Sequence, residues 1–281
     1  MKKTMFPQTI ERYVNKLQKD ERARATIEKY RRDIYAFYGF LPDDKKVTKE
    51  EMIRYKTHLA GKGYAVASIN SMLVAVNGFL SYLGAEDCKV KLFKQQRRSF
   101  CDQEKELSRE EYLRLVDVAQ KSGNIRLALI LQTICSTGIR VSELQYITVQ
   151  SLKRQEAQVQ SKGKVRKILI PQILCARLLK YCADQAIREG SIFMSHRRKP
   201  ISRSYIWAAM KSLCAVAGIS AAKVFPHNLR HLFARIFYKQ HKDIVRLADV
   251  LGHSSVDTTR IYTLTSGVEQ LGQLARMRLL L

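Results

Sequence analysis

Between residues 8 and 83 apolar side chains return at intervals of three and four, the repeat of an amphipathic helix. Ile10, Tyr13, Val14 and Leu17 form one such stripe, and Ile27, Tyr30, Ile34 and Phe37 form a second. A third helix is predicted from Thr48, which stands three positions before Glu51 as in a capping box, and Ile69, Leu73, Val76 and Leu80 mark a fourth. Between the last two, Lys62 and Gly63 fall in a turn. Ser68 and Asn70 open the fourth helix, where backbone amides and polar side chains suit a phosphate. A solvated loop accounts for Lys62 equally well.

The period then fades over residues 87–103. This stretch carries five Lys or Arg before residue 99, Arg97 and Arg98 among them, and reads as a basic linker able to lie along a duplex backbone. Helical spacing restarts at Ser108, which with Glu111 fits a capping box ahead of Leu113, Val116 and Ala119. After the helical run "IRLALILQTICSTGIR", the segments "YITVQ", "EAQVQ" and "RKILIP" are short alternating or apolar runs that predict a small antiparallel sheet, with "SKGK" turning between the last two. Helices return after Pro171 and break at "SHRRKPIS". The expected fold class is mainly α with a small antiparallel β-sheet: a helical domain over 1–86, a linker over 87–103, and a mixed α/β domain over 104–281.

Composition adds a partner to this picture. Fifty Lys and Arg against 25 Asp and Glu give a formal charge of +25 and a pI near 10.0. That exceeds what solubility requires and points to a polyanion, nucleic acid ahead of anionic membrane. With 46% hydrophobic residues, the charge coats a folded core and not a disordered tail. No run reaches the roughly 20 apolar residues that cross a bilayer, and the start turns polar too soon for a signal sequence, so a cytoplasmic location is expected. Cysteines 88, 101, 135, 175, 182 and 214 contain no C-x-x-C pair and read as reduced core thiols.

Four separated stretches of the second domain carry charge that a core does not need: "TGIRVSEL" with Arg140, "QSKGKVRK" with Lys162, "HNLRH" with His227 and Arg230, and "LGHSSVDTTRIYT" with His253 and Tyr262. Each alone is more often a cap, a surface charge or a packed aromatic. Together they supply what a phosphodiester needs. Arg140 and Arg230 can hold nonbridging oxygens bidentately and stabilise a pentavalent transition state. His227, three residues before Arg230, shares its helical face. Tyr262 is a nucleophile only once its proton is drawn away, and a hairpin lysine suits protonation of a departing 5' oxygen. His227 and His231 have the spacing of metal ligands, but no H-E-x-x-H or paired carboxylate accompanies them, and two arginines disfavour a dication. Arg197, Arg198, Lys199 and Arg203 in "SHRRKPISRS" read as phosphate contacts, or equally as a solvated loop.

In order and separation, "TGIRVSEL", "HNLRHLFA" and "LGHSSVDTTRIYT" resemble the three signature blocks of the tyrosine recombinase, or phage integrase, family. Residues up to about 86 resemble its helical core-binding domain, and those from about 104 its catalytic domain. The resemblance implies that Arg140 and Arg230 clamp the phosphate, His227 assists proton transfer, His253 bonds the scissile phosphate and Tyr262 attacks it, with Glu143 in support. Lys162 matches the general acid. The family's Gly-Lys-Gly is here Ser161, Lys162, Gly163 and Lys164, which keeps Lys164 and Lys167 as alternatives. A second departure is "YKQHKDIVRLADV", where His241 and Lys242 replace a glycine-containing turn.

The implied enzyme cleaves double-stranded DNA core sites through a 3'-phosphotyrosyl link and a Holliday junction, with no cofactor. It is a monomer when free and a homotetramer on two duplexes, with accessory DNA-bending or directionality proteins as further partners. Integration and excision of a mobile element is the expected job, with inversion and chromosome-dimer resolution as alternatives. A topoisomerase of the same chemistry and a non-catalytic architectural DNA-binding protein are the rivals. Val268, Leu271, Leu274 and Ala275 in the tail are expected to dock on a neighbouring protomer.

Overall fold

The stripes of the first eighty residues become helices α1 (Pro7–Lys19), α2 (Arg24–Phe40), α3 (Lys49–Gly61) and α4 (Val66–Tyr82). The computed structural model describes residues 3–94, 103–161, 164–195, 199–264, 271–272 and 275–277, and the chain divides into two units, Met1–Arg97 and Arg98–Leu281. In the first, Ile10, Tyr13, Val14 and Leu17 are buried as the period requires, and Ile34 and Phe37 of α2 meet Leu73, Val76 and Leu80 of α4 in one core. Two strands absent from the sequence reading, β1 (Lys3–Thr4) and β2 (Lys46–Val47), pair antiparallel. Thr48 caps α3 by accepting from the Glu51 amide. Only half of the expected box is built, because a Glu51 carboxylate oxygen takes Arg54 instead. Asn70 does not face a phosphate: its amide pairs with both backbone groups of Phe93, at 2.9 and 2.8 Å. Lys62 is exposed at the end of α3.

The second unit is built around α6 (Ile125–Thr137), which follows α5 (Arg109–Lys121) and is buried on most of its circumference. Ser108 and Glu111 form the complete capping box of α5. The buried face there is Leu115, Val116 and Ala119, while Leu113 is exposed, so the stripe lies rotated from its expected position. "YITVQ" is not a strand. Thr148 and Ser151 make a capping box that starts α7 (Val149–Arg154), which leaves Thr148 only an isolated bridge to Ser191. The sheet is therefore a two-stranded hairpin, β3 (Glu156–Ser161) against β4 (Lys164–Leu169), in antiparallel register from Glu156↔Leu169 to Ser161↔Lys164.

Helices α8 (Gln172–Asp184), α9 (Arg203–Ala217), α10 (Pro226–His241), α11 (Ile244–Leu251) and α12 (Val256–Thr259) complete the unit, with α10 packed on α6. Lys242 takes the left-handed position that ends α10, with φ 54°, so a side-chain residue does there what glycine does more cheaply. Cys88, Cys175, Cys182 and Cys214 are buried free thiols and Cys135 is half-buried. Among the described residues no helix is long and apolar enough to cross a membrane. Arg97, Arg98, Cys101, Lys162, Arg197, Arg198, Val268 and Leu274 lie outside the described residues, and the Leu271 side chain is exposed.

Candidate active site

Two helix ends make the site. Helix α6 stops at Gly138 with φ 65° and α11 stops at Gly252 with φ 64°, and each left-handed glycine turns the chain while leaving carbonyls without intrahelical partners. A Cβ at Gly138 would sit 2.5 Å from the Phe233 ring, and one at Gly252 2.4 Å from Arg166 Cδ. Both positions therefore demand glycine twice over, for conformation and for space.

Those carbonyls receive Arg230. Its side chain is 2% exposed. Nη1 donates to the Gly138 carbonyl at 2.6 Å, and Nη2 donates to the Leu251 carbonyl at 2.8 Å and approaches His253 Nε2 at 3.0 Å. The negative ends of two helices thus compensate a buried cation. Among the described residues no carboxylate lies within ion-pair distance of it. Burial, then the repulsion of Arg140, pushes its pKa down to about 10. A guanidinium can only donate, so His253 Nε2 accepts, and the imidazole proton is on Nδ1, which donates to Thr259 Oγ1 at 2.8 Å. Thr259 is fully buried.

Arg140 follows the α6 turn and opens the 3-10 helix Val141–Tyr146. Its amide donates to Glu143 Oε2 at 2.7 Å and its Nη1 to Glu143 Oε1 at 2.9 Å. Glu143 is 2% exposed. Burial pushes its carboxyl up, but the Arg140 amide and the Arg166 and Arg140 guanidiniums outweigh that and hold it below the usual range. Arg140, His227, Arg230 and Arg203 line one open cavity of about 540 Å³. Pro226 begins α10, where its fixed φ fits the first turn, and this puts His227 on the cavity rim three residues ahead of Arg230. His227 keeps an exposed side, but the partial enclosure of its ring, then His231 and Arg230, lowers it to about 4, and burial with Arg230 does the same to half-buried His253, so both rings are neutral at pH 7.

Tyr262 lies in a short 3-10 turn, 4% exposed. Its ring stacks on His253 at 6.1 Å and meets the His231 ring edge-on at 4.9 Å. Burial raises the phenol while Arg230 and Arg140 pull it back, and the net direction is up. The structure therefore brings Arg140, Glu143, His227, Arg230, His253 and Tyr262 into one neighbourhood, with Arg203 exposed beside it and Lys199 exposed in the adjoining loop. Lys164 lies on β4. Lys167 is exposed and pairs with Glu156 at 3.0 Å on the strand face opposite Arg166.

The sequence profile of the Phage integrase family matches residues 105–266, and that of the phage integrase N-terminal SAM-like domain matches residues 10–87. The chain belongs to the phage integrase family. Across 93% of its length the chain is 30% identical to the tyrosine recombinase XerA of Pyrococcus furiosus, covering 91% of that protein. It is 29% identical to the tyrosine recombinase XerH of Campylobacter jejuni, over 82% of this chain and 70% of that one. A crystal structure of XerA recombinase matches with a TM-score of 0.54 at 27% identity, covering 98% of this chain and 99% of the other. In fold it is also similar to lambda integrase(75-356) crystallised as a dimer on a COC' core site, with a TM-score of 0.74 at 21% identity over 93% and 96% of the two chains. The architecture is that of a tyrosine recombinase: mainly helical, in two domains, with a small antiparallel sheet.

Three participants escaped the sequence reading. Arg166 is the second partner of Glu143, at 2.6 Å. Thr259 is the partner of His253 Nδ1, and Glu106 lies 3.8 Å from His231 Nδ1. Nothing in their local spacing marks them, because each acts across a distance that only the fold closes.

Proposed function

We propose that this member of the phage integrase family is a site-specific DNA recombinase that cleaves and rejoins strands through a 3'-phosphotyrosyl intermediate on Tyr262. The observation that carries the reading is the buried Arg230 guanidinium, held by two carbonyls and His253 with no carboxylate in ion-pair distance among the described residues, and sharing a cavity with Arg140. Such a pair of cations is a phosphate receptor: an incoming phosphodiester supplies the missing negative charge and relieves the repulsion between them. Two clamping guanidiniums also stabilise the charge that builds up in the transition state.

In the proposed sequence, Arg140 and Arg230 hold the nonbridging oxygens and Tyr262 Oη attacks phosphorus. The neutral His227 assists proton transfer, and Lys162 protonates the leaving 5' oxygen. His253 Nε2 accepts from Arg230 with no phosphate bound; to donate to a nonbridging oxygen the ring takes its proton on Nε2, and the Thr259 hydroxyl then donates to Nδ1. Glu143 holds Arg140 in position. Domain 1–86 binds the core site and 104–281 performs the chemistry, joined by the basic linker 87–103. Lys62, Arg97, Arg98, Lys164, Arg197, Arg198, Lys199 and Arg203 contact the DNA backbone. Four protomers act on two duplexes through a Holliday junction, the arrangement of the lambda integrase tetramer to which the chain is similar in fold.

The test is covalent capture on nicked duplexes carrying candidate core sites. Wild type is expected to give a 3'-linked protein–DNA adduct, and Tyr262→Phe none while binding the same DNA. Bound wild type without an adduct on a nicked true site refutes the catalytic reading and favours DNA binding alone.

A further inference from the structure

We propose that Arg166 is a positioning residue that docks the β3–β4 hairpin onto the two segments carrying Arg140 and His253, a role that rests on the cleavage reading above. Arg166 stands on β4 opposite Val159, with its side chain 16% exposed. Nη2 donates to Glu143 Oε2 at 2.6 Å, the oxygen that also accepts the Arg140 amide. Nη1 donates to the Val250 carbonyl at 2.5 Å, in the last turn of α11, three residues before His253. One planar group thus joins three segments far apart in the chain: the hairpin, the Arg140 turn and the α11 end.

The passage for this side chain is built. Gly252 is bare where a Cβ would lie 2.4 Å from Arg166 Cδ and 2.8 Å from Nε. Arg166 is not among the residues that line the cavity, so it acts through others. The element that depends on it most is the hairpin. A two-stranded ribbon is marginal by itself, and this one is seated in the main core through Ala157, Val159 and Ile168, so Arg166 sets where its outer end lies, whereas Glu143 and α11 are held by their own packing and by the Arg140 amide. Tyr146, whose hydroxyl donates to the Gln160 carbonyl at 3.1 Å, is a second tie to the same hairpin. The general acid proposed above, Lys162, comes in sequence between β3 and β4, so losing the dock of those strands is expected to affect the acid before the phosphate clamp. An ammonium is a point donor and cannot serve Glu143 and Val250 as two guanidinium nitrogens do.

The experiment uses the full chain with Arg166→Lys and Arg166→Gln on the site at which wild type forms its Tyr262 adduct. One substrate has an ordinary phosphodiester. The other has a 5'-bridging phosphorothiolate, whose sulfur departs without a proton. We expect Arg166→Lys to keep DNA affinity and to lose about 100-fold in cleavage of the ordinary diester, the lower end of what a displaced general acid costs. Most of that loss should be recovered on the phosphorothiolate. Arg166→Gln should show the same pattern more strongly, and the lysine variant, which keeps the charge, carries the test if the glutamine variant does not fold. Wild-type cleavage by both variants, or equal losses on the two substrates, overturns the docking role. A wild type that yields no adduct overturns the recombinase reading itself and this role with it.

Discussion

Replacing Glu143 by Gln isolates the charge beneath the site. The carboxylate is 2% exposed and accepts from the Arg140 amide, Arg140 Nη1 and Arg166 Nη2 at 2.7, 2.9 and 2.6 Å. Glutamine keeps the shape but has one acceptor oxygen, and its NH2 faces donors whichever way it is turned. Removing one partner of a buried ion pair costs roughly 3–5 kcal/mol. Arg140 is 38% exposed, so water recovers part of its interaction, and we expect a loss of about 2–4 kcal/mol. For a unit of this size that is a drop of roughly 5–15 °C in Tm. Trp207, the single tryptophan, lies on α9, so its fluorescence in urea follows the second unit. The pH dependence gives a second check. Glu143 has a folded pKa below its ordinary value, so its contribution is present above about pH 4.5 and is lost as pH falls through the folded value. The gap between wild type and Glu143→Gln should therefore close in acid. A variant within about 0.5 kcal/mol of wild type at pH 7, the range of ordinary surface substitutions, refutes the account of Glu143 as the hub of this network.

Thr259→Val removes the acceptor for His253 Nδ1 at nearly constant volume; it should cost about 1–2 kcal/mol and slow adduct formation more than it weakens DNA binding in a gel-shift assay. Gly138→Ala forces φ 65° on an L-residue and drives a methyl to 2.5 Å from Phe233, so denaturant titration should show a loss of about 2–4 kcal/mol. His227 and His253 have folded pKa values near 4, below an unfolded value near 6.5. The unfolded chain then binds more protons between those limits, so stability should fall as pH drops from about 6.5 to about 4. His253 should carry the larger share, because His227 keeps a solvent-facing side on the cavity rim. Urea midpoints across that range, for wild type and His253→Gln, measure it.

Local readings succeeded where one element supplied both signal and structure. The α1 stripe buries the four residues its spacing marks, and Ser108 caps α5 with Glu111 three residues away. They missed where a competing partner stood elsewhere in the chain. Asn70 was legible as a helix-start polar residue, yet Phe93 claims its amide from 23 residues away. "YITVQ" has a strand's alternation, but the Thr148–Ser151 box turns it into a helix start. Leu113 fits the helical period, and only packing against α6 and α9 shows that the buried face is centred on Leu115 and Val116.

By itself the sequence determined the helices, the hairpin between residues 156 and 169, the polyanion-seeking charge and the order of the blocks that carry Arg140, Arg230 and Tyr262. These follow from periodicity, turn chemistry and composition, which act over a few residues or over the whole chain at once. Only the tertiary structure decided that Arg230 is held by the ends of α6 and α11, that Arg230 and Thr259 bracket the two nitrogens of His253, and that Arg166 shares Glu143 with Arg140. A hydrogen bond requires its partners within about 3 Å, and for groups on different elements that distance exists only after the core has packed.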